Sequence, residues 1–127
     1  MPFYRISEME EVKDLHLPTF HKLVPGEFMK VAIVTYLEGE APAPHFHPNE
    51  EQFILMLSGK VRMVLGDEER EIGEGDLVHV PRNVVHGIRI TEAPAVFFTC
   101  KSPVGSGEIS LDYTAAPNVD ELKQRLS

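Results

Sequence analysis

Phe53-Ile54-Leu55-Met56-Leu57-Ser58-Gly59-Lys60-Val61-Arg62-Met63-Val64-Leu65-Gly66-Asp67 holds two apolar runs of strand length, closed by the turn pairs Ser58-Gly59 and Gly66-Asp67. Short runs bounded by Gly, Asp and Ser read as β-strands. The same rhythm continues on both sides. Upstream, Lys30-Val31-Ala32-Ile33-Val34-Thr35-Tyr36-Leu37 is rich in β-formers and leads to Gly39. Downstream, Glu69-Arg70-Glu71-Ile72 ends at Gly73-Glu74-Gly75-Asp76, and Leu77-Val78-His79-Val80 ends at Pro81-Arg82-Asn83. Runs at 85–90 and 95–101 complete the series. Many short strands at close spacing predict an all-β sandwich or barrel.

Only the ends depart from this pattern. Residues 7–14 are expected to form a helical turn. Residues 118–126 read as a short C-terminal helix, with Asn118 as cap, Glu121 at the reciprocal position and basic residues towards its end. The glycine-containing segment 102–107 is expected to be an exposed connection, a flap over a pocket being the alternative.

A chain of 127 residues suffices for one domain with a real core, so residues 1–127 are taken as a single domain. No apolar run approaches the roughly 20 residues that span a bilayer, and no membrane partner is expected. The N-terminal order Met1-Pro2-Phe3-Tyr4-Arg5 lacks the pattern of a signal peptide, so the expected compartment is the cytoplasm. One cysteine, Cys100, allows no internal disulfide, and its apolar surroundings suggest a buried thiol. A formal net charge of −8 argues against nucleic acid as a partner.

The chemistry concentrates in Pro44-His45-Phe46-His47-Pro48-Asn49-Glu50-Glu51-Gln52. Residues i and i+2 of a strand share a face, so His45 and His47 form a ready pair of imidazoles. Glu51 and Gln52 follow and would point to opposite faces, so one of the two can join the histidines. His86, in Val84-Val85-His86-Gly87-Ile88, is a third imidazole on a core-like face. Alone it would read as a hydrogen-bonded core histidine. Beside the pair, three neutral imidazoles and one oxygen donor suit a divalent transition metal: Fe, Mn, Ni, Zn or Cu. His79 shares a face with Leu77, which fits core or interface packing as well as function. His16 and His21 sit in an irregular region and are assigned no role.

The order and spacing of these residues resemble the two motifs of the cupin superfamily. The first motif runs Gly, five residues, His-x-His, three or four residues, Glu, six residues, Gly; here it reads Gly39, His45, His47, Gln52, Gly59. The second runs Gly, five residues, Pro-x-Gly, two residues, His, three residues, Asn; here it reads Gly75, Pro81, Asn83, His86, Ile90. Motif 1 thus covers 39–59 and motif 2 covers 75–90. Gln52 stands where the family usually has glutamate, and Glu51 also meets the allowed spacing; counting back from Gly59 favours Gln52. A neutral amide leaves the site more positive, which favours an anionic substrate. Some small cupins with glutamine here resemble the uronate-converting proteins of pectin and alginate degradation. Asn83 replaces a glycine, and asparagine tolerates the left-handed conformation.

The resemblance implies a double-stranded β-helix (jelly-roll) barrel with a short C-terminal helix, paired as a homodimer. It implies one divalent metal held by His45, His47, Gln52 and His86, and a small-molecule substrate or ligand. Glu51, Tyr36, Arg62 and Tyr113 are acid–base candidates by residue type. Phe46, Phe53, Met56 and Phe98 can wall a pocket or simply fill the core. Three functions follow: a non-redox isomerase or lyase acting on a small carbonyl or carboxylate compound, an iron-dependent dioxygenase, or a non-catalytic module binding a small ligand or sugar.

Overall fold

The two longest strands are each made of two runs that the sequence divides. In the computed structural model, which describes residues 2–14, 19–109 and 112–127, a 3-10 turn at Ile6–Glu8 precedes nine strands and one helix among the described residues. The strands are β1 (Val12–Lys13), β2 (Phe20–Pro25), β3 (Lys30–Tyr36), β4 (His45–Phe46), β5 (Glu51–Leu65), β6 (Glu68–Gly73), β7 (Leu77–Val80), β8 (His86–Ser102) and β9 (Thr114–Ala115). The helix α1 spans Val119–Leu126. The expected all-β barrel with a C-terminal helix is the observed architecture. Among the described residues, no helix is long and apolar enough to cross a membrane.

Strand pairing is antiparallel throughout. β1, β2, β3 and β8 follow one another across the curled sheet, and β5 lies on the other side of β8. β6 and β7 pair with the two halves of β5. β4 is short and joins β8 and β9.

Ser58-Gly59 is therefore a bulge inside β5 and not a chain reversal. Register with β8 slips between Met56 and Val61. Before the slip the inward residues are Gln52, Ile54 and Met56; after it they are Val61 and Met63. An extra residue switches which parity faces the core, as a β-bulge must. β8 makes the same switch, from Ile88 and Ile90 to Ala95, Phe97, Thr99 and Lys101. Gly59 sits at φ +75°, and a Cβ there would lie 2.3 Å from the Pro94 carbonyl oxygen. Only glycine fits such an approach between backbones.

The core fills the space enclosed by the inward faces, with Val34, Ile54, Met56, Val61, Met63 and Phe97 among its members. A smaller cluster seats α1, where Leu122 and Leu126 pack on Val64 and Ala116. Arg89 Nε also donates to the Leu126 carbonyl. Asn118 does not cap this helix through its side chain. Its backbone (φ −109°, ψ 39°) is off the extended region a capping residue uses, and its amide instead donates to Glu121 at 3.5 Å. The helical turn expected over 7–14 shrinks to Ile6–Glu8, and Val12–Lys13 pairs with β2 as a strand. Cys100 is half-buried, not buried, with Sγ 3.7 Å from Met29 Sδ. His16 lies outside the described residues.

Candidate metal centre

The cross-strand pair His45–His86 joins β4 to β8, so the two rings stand side by side on one face. His47 follows two residues after His45 and turns the same way. Ring centroids are 4.9 Å apart for His45 and His47, 4.5 Å for His45 and His86, and 5.0 Å for His47 and His86. One ring nitrogen from each lies within 4.8 Å of the others, and all three residues are buried. Two backbone devices bring the strands this close. Gly87 has no side chain where a Cβ would meet Pro44 Cγ at 2.8 Å. Asn83, at φ 67°, turns the chain left-handed and donates its N–H to the His47 carbonyl at 2.9 Å.

Backbone carbonyls fix the tautomer of each ring. His45 Nδ1 is 2.7 Å from the Ala43 oxygen, His47 Nδ1 is 2.6 Å from the Asp112 oxygen, and His86 Nδ1 is 3.1 Å from the Val84 oxygen. A carbonyl can only accept, so each Nδ1 carries the proton and each Nε2 keeps its lone pair. Outer partners of this kind orient metal-ligating histidines. Burial lowers the pKa of all three, to about 4 for His45, to about 3 for His47 and well below the ordinary value for His86. The rings are neutral at pH 7, the state a metal requires.

Gln52 lines the same cavity and offers an oxygen. Thr99 Oγ1 donates its one proton to the Phe53 carbonyl at 3.0 Å, so it can only accept from Gln52 Nε2 at 2.8 Å. That bond settles which end of the amide is which. Gln52 Oε1 is then left buried with no hydrogen-bond partner among the described residues. A buried acceptor without a partner is costly, and a cation beside three imidazole lone pairs would satisfy it. The donor set fits a divalent transition metal.

A second group, His47, Glu50 and Asp112, has ligand atoms equally close together. Asp112 and one oxygen of Glu50 are already committed. Asp112 accepts from Asn49 N at 2.6 Å, Asn49 Nδ2 at 2.9 Å and Glu50 N at 2.7 Å, and Glu50 is 2.5 Å from Lys30 Nζ. Partial burial works to raise the Asp112 pKa, but the bonds from Asn49 and Glu50 outweigh it and hold the carboxyl below its ordinary value. This group braces the loop that carries His47.

The three histidines and Gln52 open into a cavity of about 70 Å³, room for on the order of five waters. Its walls are mostly apolar, with Ile54, Met56, Val61, Met63 and Phe97 below the polar cluster. Residues 32–100 match the family described as Cupin domain. The chain belongs to the cupin family.

This cupin is 33% identical over 90 residues to Protein SchB of Streptomyces halstedii, a match covering 68% of the chain and 63% of SchB. The chain spans less than two thirds of the length of the curated relatives it matches. Among solved structures, KdgF from a Halomonas species superposes with a TM-score of 0.73 at 21% identity, covering 81% of this chain and 94% of that one. A sugar phosphate isomerase of the cupin superfamily from Silicibacter pomeroyi gives 0.69 at 17% identity, covering 80% and 75%. At such identities the likeness is one of fold.

The cupin barrel sorts the other expected site residues. Tyr36 and Tyr113 line the cavity, Tyr113 stacking on His45 with centroids 4.5 Å apart. Burial raises the pKa of both phenols, so both are protonated. Glu51 and Arg62 are not at the cavity. Glu51 points outward, as its parity requires, and pairs with His79 at 2.8 Å. Arg62 is half-exposed and pairs with Glu69 at 3.2 Å. His79 is neither core nor cavity: its ring stacks on the exposed Phe53 at 4.5 Å. Of the four expected wall residues only Met56 lines the cavity, together with the neighbouring Phe97.

Sequence reasoning missed His21, Thr99 and Lys101, all of which line the cavity. His21 lies on β2, opposite Val34 of β3, with its Nδ1 buried and unpartnered. Burial lowers its pKa, Asp14 opposing. The run Phe20-His21-Lys22-Leu23-Val24 carries the strand signal that would have found it. Burial also lowers the Lys101 pKa, to about 8, with Glu50 opposing, which still leaves an ammonium at pH 7.

Proposed function

We propose that this cupin is a metal-dependent, non-redox enzyme of isomerase or lyase type acting on a small carbonyl or carboxylate compound. The observation that carries the reading is the gathering of three buried imidazoles, each with Nδ1 held by a backbone carbonyl, in an apolar cavity that Gln52 also lines. In this reading His45, His47, His86 and Gln52 hold one divalent ion, whose Lewis acidity would polarise a substrate oxygen.

The chain's own residues supply the rest. The apolar walls exclude water and strengthen every polar contact inside. Tyr113 Oη, 3.4 Å from the Ala43 carbonyl, is held beside His45 and can hand a proton to a substrate oxygen. Tyr36, also in the cavity wall, can donate a second hydrogen bond to the substrate. Neutral His21 can accept a proton at a ring nitrogen, since its Nδ1 has no hydrogen-bond partner among the described residues. Pairing as a homodimer through exposed sheet surface, where Leu77 is 66% exposed, belongs to the same proposal; light scattering checks it.

The test is reconstitution with single metals, followed by NMR of solvent deuterium exchange at carbons next to the carbonyl in a panel of small hydroxyketones and 2-oxoacids. Exchange without O₂ on manganese, nickel or zinc is the expected result. Turnover only with iron and O₂ would replace the reading with a dioxygenase. A tightly held metal with no turnover would leave a ligand-binding module.

A further inference from the structure

Inside the barrel two lysines face one another. β8 lies between β3 and β5, so Lys101 has Lys30 as its cross-strand neighbour on one side and Gln52 on the other. Lys30 is 1% exposed and Lys101 is 6% exposed. Like charges directly opposite in a sheet repel, and a buried ammonium needs a partner.

Lys30 has its partners. Its Nζ lies 2.5 Å from Glu50 Oε2, 2.5 Å from the Glu108 carbonyl and 3.4 Å from the Val104 carbonyl. Three acceptors match the three protons of an ammonium. Lys101 is served differently. Its Nζ donates to the Ile109 carbonyl at 2.7 Å, the one hydrogen bond it makes among the described residues. Glu50 Oε1 stands 3.9 Å away, beyond hydrogen-bond reach, and itself has no hydrogen-bond partner. Asp14 and Asp112 add to the field at Lys101. Two of its N–H groups thus have no protein acceptor among the described residues, and Lys101 lines the cavity.

The ligand set adds to the imbalance. Three neutral imidazoles and a neutral amide would leave the charge of a divalent ion uncompensated. A small anion in the cavity would answer both excesses. We propose that Lys101 is the specificity-determining anchor for a substrate carboxylate. Lys101 pairs across the ladder with Gln52, lines the same cavity as the three histidines and bears electrostatically on each of them, so the carboxylate and the oxygen facing the metal belong close together on one substrate. Adjacent positions on one small molecule meet this requirement, which describes a 2-hydroxy- or 2-oxocarboxylate. The inference rests on the metal reading above and narrows its substrate class.

The experiment uses the protein loaded with cobalt(II), whose visible absorption reports a ligand entering at the metal. Lactate is titrated against propane-1,2-diol, which has the same hydroxyl and carries a neutral CH₂OH in place of the carboxylate. Any carboxylate gains from the metal itself, so the readout is the change on Lys101→Met. The expected result is a loss of lactate affinity of about tenfold or more, as for a charge-assisted hydrogen bond, with diol affinity within about twofold of wild type. Lys101→Arg should recover part of the loss. Lys101→Gln replaces the Met variant if that one does not fold. A cobalt-holding variant that still binds lactate like wild type overturns the anchor while leaving the metal centre intact. Equal loss for lactate and diol also overturns it, since Lys101 would then act only as a structural group. Failure of the wild-type protein to take up cobalt, read by elemental analysis, overturns the metal reading itself and the anchor with it.

Discussion

His79 and His86 arise on successive strands, and the barrel puts them to opposite uses. His86 is buried, its Nδ1 held by a backbone carbonyl and its Nε2 free beside two other rings. His79 lies outside, stacked on Phe53, with its Nε2 taken up by Glu51. What separates them is the nature of the outer partner and the face of the sheet. A carbonyl at Nδ1 fixes a tautomer and leaves a lone pair pointing inward; a carboxylate at Nε2 occupies the nitrogen that would have bound. Residue type alone makes neither a ligand.

The contrast can be broken most forcefully at its inner member. His47→Ala is expected to abolish stoichiometric metal binding while the far-UV circular dichroism of the barrel persists. Elemental analysis of purified protein checks it, and retention of about one metal per chain would overturn the site.

Next comes the neighbouring pair on β5. Gln52→Ala should weaken metal affinity by about 10–100-fold, and Glu51→Ala should leave it nearly unchanged. Competition with a chromophoric chelator measures both. A larger loss for Glu51 would mean that the outer face holds the oxygen donor.

Acid separates the two histidine classes more gently. The pKa values of His45 and His47 fall from 6.5 to about 4 and about 3 on burial. Between those values and 6.5 the unfolded chain binds more protons than the fold does, so stability rises with pH. The metal-free protein should therefore lose stability as pH drops from about 6.5 towards 4, and His45→Phe should flatten that slope. Urea midpoints across this window provide the measurement; a flat wild-type profile would contradict the buried, neutral assignment. The smallest effect is expected outside: His79→Ala should change stability by no more than about 0.5 kcal/mol, with metal content unaltered.

How far the sequence could carry this picture depends on the kind of information involved. Strand content was legible because Gly, Asp and Pro punctuate apolar runs at strand length. The ligand candidates were legible because i and i+2 share a face and because counting back from Gly59 favours Gln52. Continuity through Ser58-Gly59 was not legible, because a bulge and a hairpin turn ask for the same residues and differ only in what lies opposite. Lys101 and Thr99 were hidden for a related reason. Their roles come from cross-strand partners on β3 and β5, and no local pattern encodes that register. Glu51 and Arg62 failed as cavity residues because residue type carries no face.

The Thr99 hydroxyl makes positions 52 and 99 mutually dependent. Its proton is spent on the Phe53 carbonyl, so it presents only lone pairs to its neighbour. A carboxylate at position 52 would meet oxygen against oxygen, unless Thr99 let go of that carbonyl. Restoring the glutamate more usual in this motif therefore either costs the Thr99–Phe53 bond or calls for a compensating change at Thr99. A library that varies the two sites singly would find a barrier where one that varies them together would find a path.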